Sequence, residues 1–387
     1  MAEFPLYRAA FSGLLAMLVG IGIARFGYAP LVPALVAAHW FTAAAAFWLG
    51  AMNFLGYVIG ALGMRSWHRA IHTRTAVVTL MTVTAICLLA SAWNFGVIYA
   101  GIWRLLSGIT GGALMVLMGA AVVGRAPVQK RGQVGGITFA GMGTGMTISS
   151  LLLPQLLHFG LQATWILLGL LSLVFTCIVA VLMPPATLTP AAPAPGTRTL
   201  TRPIIFLFVG YALCALGFVP HALFLSSFVA IRLGRGVAAG ARVAAVLGIA
   251  AALGPPILGR LADRFGFLTT LAASYFVMAI AVALPLLSGN PFILDISAAG
   301  VGAVALGAVV LTSGAVAHRV PAARLAATWG LATMAYAVMQ AASAAGFSSL
   351  FHLTGSYRLL FAIGAVATFV TGICVLVSRR LQTEVAG

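Results

Sequence analysis

Arg25 and Arg104 are the residues of this sequence best placed to act on a charged molecule. Both fall inside long apolar runs, past the middle of the first and near the middle of the fourth. A cation held at the centre of a bilayer costs roughly 2.5–3.5 kcal/mol or more, so it persists only where something compensates it. Before residue 184 the sole acid is Glu3, which lies outside these runs. Two readings follow. Either the guanidinium groups hold an anionic group such as a carboxylate through bidentate hydrogen bonds, or backbone carbonyls satisfy each arginine and its role is packing.

Other polar residues within apolar runs are few. Asp295, the carboxylate of the tenth run, stands near that run's outer end. It either accepts a proton, which burial favours, or is a solvated or capping residue at a helix start. His221 follows Pro220, and Tyr211, Cys214, Phe218 and His221 recur at about helical spacing. Histidine titrates near neutral pH; the alternative is a hydrogen-bonding or packing group. Asn53 and Tyr57 are one turn apart, Tyr28 follows Arg25 closely, and Thr333, Tyr336, Gln340 and Ser343 form a stripe at steps of three or four. Such groups face a wet cavity or bond to neighbouring helices. Tyrosines beside arginines suit an organic molecule with a ring or acyl chain. No nucleotide-binding loop, metal-ligand cluster or Ser/His/Asp arrangement is legible, so neither an enzyme nor a cofactor is expected.

The elements that must position these residues follow from composition. Of 387 residues, 62% are hydrophobic and 6% charged, against about 25% charged in soluble domains. Mean hydropathy is +1.13. So few charges cannot cover a soluble surface, and lipid must face most of the chain. The net charge of +17 does not indicate nucleic acid. The cations sit singly or in small groups between apolar runs rather than in a basic stripe, and only Lys130 is a lysine.

Runs near the 20 residues needed to span a bilayer cover 9–36, 42–64, 75–93, 95–122, 133–157, 161–183, 203–230, 240–259, 268–288, 292–317, 327–351 and 357–378. The expected fold is an all-α integral membrane protein with twelve transmembrane helices. The first run is read as a membrane helix rather than a cleaved signal, because Arg25, Pro30 and Pro33 interrupt any simple cleavage region. A Pro- and Thr-rich interval, 184–202, separates six-helix blocks at 1–183 and 203–387. One set of alternate connections holds fifteen of the 21 cations; the other holds only Arg232, Arg235, Arg242 and Arg358. The positive-inside rule puts the richer set, both termini and the linker in the cytoplasm. Cys87, Cys177, Cys214 and Cys374 lie in apolar runs and read as packing residues. Gly56/Gly60 and Gly108/Gly112 are GxxxG pairs, and Gly136, Gly141, Gly143 and Gly145 keep the fifth helix thin.

The halves also repeat. Gly27-Tyr28-Ala29-Pro30 in the first run matches Gly217-Phe218-Val219-Pro220 in the seventh, and Gly60–Trp67 aligns with Gly259–Gly266. Gly259-Arg260-Leu261-Ala262-Asp263-Arg264-Phe265-Gly266, between runs eight and nine, resembles the loop motif of the major facilitator superfamily. Arg104-Leu105-Leu106-Ser107-Gly108 resembles that family's arginine–glycine motif in the fourth helix. Ile21–Pro30 and Asn53–Tyr57 resemble the bacterial YbfB/YjiJ-like branch. The resemblance implies two pseudo-symmetric six-helix bundles and a gating motif of Gly259, Asp263, Arg264 and Gly266. In it Asp263 docks at the cytoplasmic start of the fifth helix and Arg264 ties helices while that side is closed. The first copy departs, with Met64 in place of the aspartate and Trp67 in place of the second glycine.

The function implied is a secondary transporter in the inner membrane, proton-linked or facilitative, and the arginines make a small organic anion the expected solute. Arg25 and Arg104 hold the anion. Tyr28, Asn53, Tyr57, His221, Tyr336 and Gln340 shape the pocket, and Asp295 or His221 carries a proton. Solute, protons and lipid are the expected partners, not nucleic acid, and the chain is expected to be a monomer. Competing readings are an exporter of amphipathic or toxic compounds and a non-transporting membrane sensor.

Overall fold

The computed structural model describes residues 5–65, 71–127, 130–188, 200–320 and 322–386. Glu3, Trp67 and most of the 184–202 interval lie outside them. In chain order the long helices are α1 (Leu6–Ala37), α2 (Ala43–Met64), α3 (Thr73–Ala90), α4 (Val97–Val123), α5 (Arg131–Leu157), α6 (Leu161–Leu182), α7 (Arg202–Arg232), α8 (Gly236–Phe265), α9 (Phe267–Leu287), α10 (Pro291–Ala317), α11 (Ala322–Thr354) and α12 (Tyr357–Leu381). Among the described residues eleven of these, all but α11, are long and apolar enough to cross a membrane. Ile102, Val174, Val277 and Val366 point outward from the helices, as side chains do where the solvent is hydrocarbon. α1 is largely buried inside the protein.

α1 and α7 both lose regular winding at the repeated glycine–aromatic–small–proline motif. In α1 a wide π turn over Leu18–Ile23 passes through Ala24 and Arg25 into a tight 3-10 turn, Phe26–Leu31, that contains Pro30. In α7 wide turns begin at Pro220 and again at Phe228. Proline removes a backbone donor and crowds the preceding turn. Changes of winding of this kind re-satisfy the freed groups inside a membrane. The two broken segments meet, with the Phe26 and Phe218 rings edge-on at 5.9 Å.

Glycine sets the closest helix contacts. Gly56 and Gly60 of α2 lie against the Leu105 and Ile109 carbonyls of α4, and Gly108 and Gly112 lie against the Asn53 and Tyr57 carbonyls of α2. Both GxxxG pairs therefore serve one interface, which aligns Asn53 with Arg104. Gly143 of α5 meets Gly248 and Ala252 of α8. Gly141 and Gly145 abut Leu14, Leu18 and Gly22 of α1, whereas Gly136 meets open space. The expectation that Gly136 thins a contact is thus corrected: at helical spacing it lies on the face of α5 opposite Thr138, Gly141 and Gly145, which meet α1. Cys177 is exposed on α6, while Cys87, Cys214 and Cys374 are buried.

The loop reading of 259–266 also needs correction. α8 continues through Phe265, so Gly259, Asp263 and Arg264 lie on its last turns. Only Gly266 forms the turn, at φ +84° and ψ +147°, a conformation that side chains with a Cβ rarely adopt. Arg264 in the last turn complements the helix dipole, which helps the helix outlast its apolar stretch. Asp263 and Arg264 are exposed.

Two short strands, β1 (Ile71–His72) and β2 (Thr187–Leu188), pair antiparallel. Arg125 donates to the Thr187 carbonyl, and the Thr73 amide donates to Ala186 at 2.8 Å. The start of the 184–202 interval is therefore pinned beside α3 and α4 rather than free.

Candidate functional site

Arg25 stands where the wide turn of α1 gives way to the tight one, and it is 7% exposed. Its guanidinium lies 4.0 Å from the ring centroid of Phe54 and 4.6 Å from that of Tyr57, both on α2. Phe26 is at 5.5 Å. Nη2 donates to Oε1 of Gln340 on α11 at 2.5 Å. Three helices thus converge on one cation. Desolvated cation–π contacts contribute about 2 kcal/mol or more, and the charge-assisted bond to the amide adds to this. Nε has no partner.

Arg104, on α4, is 4% exposed. Its Nη1 donates to the Ala24 carbonyl at 2.6 Å, and its guanidinium lies 4.0 Å from the Tyr28 ring centroid. The Tyr28 hydroxyl donates to the Ala46 carbonyl at 2.9 Å. Asn53 Nδ2 donates to the Arg104 carbonyl at 3.2 Å and to Ser107 Oγ at 2.9 Å. Arg104 therefore ties α4 to the break in α1, one residue from Arg25. Neither arginine makes an ion pair among the described residues, and Arg104 Nε also lacks a partner.

The structure gathers Arg25, Tyr57 and Gln340 at one point and places Arg104, Tyr28 and Asn53 beside it. Tyr336 stacks on Tyr211 of α7 at 4.8 Å, and Trp329 lies 5.7 Å from the same ring. The remaining hydroxyls of the α11 stripe turn back on their own helix: Thr333 donates to Trp329 and Ser343 to Met339. Phe54 and Trp329 escaped the sequence reading. Phe54 and Tyr57 form an i, i+3 aromatic pair, which is the pattern a cation clamp on one helix face requires.

His221 and Asp295 lie elsewhere. His221 Nε2 is 2.7 Å from Ser297 Oγ on α10, and the ring lies 5.4 Å from Phe361 on α12. The α7 backbone widens from Pro220, and His221 there faces α10 and α12 rather than Arg25. Ser297 spends its proton on the Ala281 carbonyl at 2.6 Å, so its oxygen accepts from His221. That assigns the proton to Nε2 and leaves Nδ1 a buried acceptor without a partner among the described residues. Asp295 pairs with Arg242 of α8 at 2.5 Å, near the ends of both helices. The Asp263 carboxylate makes no hydrogen bond or ion pair among the described residues.

One end of the molecule is sealed. Residues 21–35 of α1 and 217–230 of α7 are all buried. Phe47 of α2 meets Phe224 at 4.2 Å and Phe351 at 4.8 Å, and Phe351 meets Tyr357 at 4.7 Å. Toward the other end Met115, Val116, Ile137, Phe139, Val309 and Thr333 are half-buried. Beside Arg104, Tyr28 and Trp165 enclose a cavity of about 20 Å³. This is room for a water molecule, so an organic molecule entering here must displace side chains.

A family model described as "Uncharacterised MFS-type transporter YbfB" matches residues 17–376. No curated protein matches the chain. The match spans both broken helices, both buried arginines and the Gly259–Gly266 motif, and it accords with the apolar helices whose outer faces are hydrocarbon. This chain therefore belongs to the YbfB-like family of major facilitator transporters and is a multi-pass membrane protein.

Proposed function

We propose that the chain carries a small organic anion across a bacterial inner membrane by alternating access, coupled to protons. The observation that supports this most is Arg25: a buried guanidinium, boxed by Phe54 and Tyr57, whose polar partner is the neutral amide of Gln340. A carboxylate outcompetes an amide oxygen for guanidinium because the bond gains full charge. Gln340 Oε1 stands where an anionic oxygen would sit. Cargo binding exchanges a bond between α1 and α11 for a bond to the cargo, and so alters how the two are held together.

In this reading α11 is the twelfth span, and residues 1–183 and 203–387 are bundles that rock about the centre. The glycine contact of Gly143 with Gly248 supplies a thin sliding surface. The cation-rich connections and both termini face the cytoplasm, so the aromatic seal closes the outside. Asp263 and Arg264 engage when the cytoplasmic side closes. A monomer suffices, and the energy comes from a gradient.

The test is uptake into proteoliposomes of a labelled panel of organic acids, sugars and amines, with and without an inward proton gradient. Acids alone should accumulate. Aromatic walls at Tyr211, Trp329 and Tyr336 also suit amphipathic cargo, and extrusion of amines or neutral drugs with no acid uptake would replace this reading with efflux. For the proton, His221 Nδ1 and Asp295 Oδ1 both lack a partner among the described residues, but Arg242 holds Asp295 as the charged carboxylate, which favours His221. His221→Gln should abolish gradient-driven accumulation while leaving counterflow exchange intact, and Asp295→Asn should keep both. The reverse pattern would assign the proton to Asp295.

A further inference from the structure

A second polar cavity lies far from Arg25, at the sealed end of the molecule. It has a volume of about 450 Å³ and lies between the end of α7, the turn joining α9 to α10 and the turn joining α11 to α12. Arg232, Ser288, Gly289, Thr354, Tyr357 and Arg358 are among its lining residues. Two features converge there. Arg232 and Arg358 both line the cavity, and Arg358 is held in place by donating to the Leu286 carbonyl at 2.7 Å. The cavity meets the N-terminus of α12, where Ser356 accepts from the Leu359 amide at 3.3 Å and the helix presents its positive end.

The nearby acid, Asp295 of α10, is not among the lining residues and is engaged by Arg242. Nothing in the lining therefore neutralises the two arginines.

We propose that this cavity is a second anion-binding site, separate from Arg25, which takes a phosphate or carboxylate group on Arg232 and Arg358. On the orientation proposed above it opens to the outer surface. The Tyr357 ring is also a member of the aromatic seal, 4.7 Å from Phe351 and 5.8 Å from Phe228, so the site borders the outer closure. A free solute and the phosphate of a lipid headgroup share the chemistry required.

The test is calorimetric titration of inorganic phosphate into the purified full-length chain in detergent, with chloride at equal ionic strength as the reference. Saturable binding is expected. Arg232→Gln and Arg358→Gln should each weaken it about tenfold, the value of one charge-assisted hydrogen bond. Arg25→Ala should leave it unchanged. Arg358 also braces a turn, so Arg232→Gln is the deciding variant if Arg358→Gln misfolds. Absence of saturable binding, or wild-type affinity in Arg232→Gln, overturns the proposal. Loss of binding in Arg25→Ala alone also overturns it, because the signal then belongs to the central site. Repeating the titration in nanodiscs separates the sources. Competition by phosphatidylglycerol but not phosphatidylcholine identifies a headgroup, and equal binding in both identifies a free solute; either result upholds the anion chemistry.

Discussion

Arg25→Ala should abolish accumulation of the transported acid while the protein still folds. The substitution removes the one group on which α1, α2 and α11 converge. Losing two charge-assisted bonds to a carboxylate reduces transport on the order of a hundredfold or more. Stability should change little. The cavity left between Phe54 and Tyr57 is unfavourable, but the penalty of burying the cation disappears with it. The melting temperature in detergent should therefore stay within a few degrees of wild type. Arg25→Lys keeps the charge but loses the planar fork that stacks between rings and bonds bidentately, so it should recover only a minor part of the activity. Uptake by Arg25→Ala equal to that of wild type would make Arg25 a structural brace and turn attention to uncharged or cationic cargo.

Gly112→Val should fail differently, losing stability and transport together. A Cβ at Gly112 would sit 2.1 Å from the Tyr57 carbonyl oxygen and 3.0 Å from the Ala61 amide nitrogen. Both neighbours are backbone, so only separation of α2 from α4 relieves the contact. Overpacking of this kind costs about 1–3 kcal/mol and occasionally more, and valine places two further carbons in the same space. Separation would also stretch the Asn53 bonds to Arg104 and Ser107, at 3.2 and 2.9 Å, and would carry Phe54 and Tyr57 away from Arg25. The melting temperature and uptake rate should therefore fall in parallel. Gly119→Ala, on the same helix but facing open space, is the control that should leave both unchanged. A Gly112→Val protein that melts and transports like wild type would show that the helices already stand further apart than the contact implies.

Much of the fold was legible because a bilayer imposes simple rules. Apolar runs of spanning length mark helices wherever the solvent is hydrocarbon, and the observed ends of α2 and α6 fall within a residue of the runs 42–64 and 161–183. α8 was misjudged because its last turns are polar: a helix can leave the apolar layer and continue in water, and hydropathy does not register that. Arg25 and Arg104 stood out because charge in hydrocarbon needs a reason. Their partners did not, since Phe54 and Trp329 are ordinary residues among many aromatics.

The sequence by itself determined that this chain is a helical membrane protein of the major facilitator type, because composition, charge asymmetry and short motifs act locally and need no knowledge of packing. It also marked Arg25 and Gln340 separately as residues worth attention. Only the tertiary structure decided that they touch, across 315 positions of chain, that Arg104 is tied to the broken backbone of α1, and that His221 and Asp295 face away from both. Contacts between distant segments depend on the rotation of each helix about its axis. Here that rotation is set by the turns at Leu18–Ile23 and Pro220–Phe224 and by which glycine faces allow close approach.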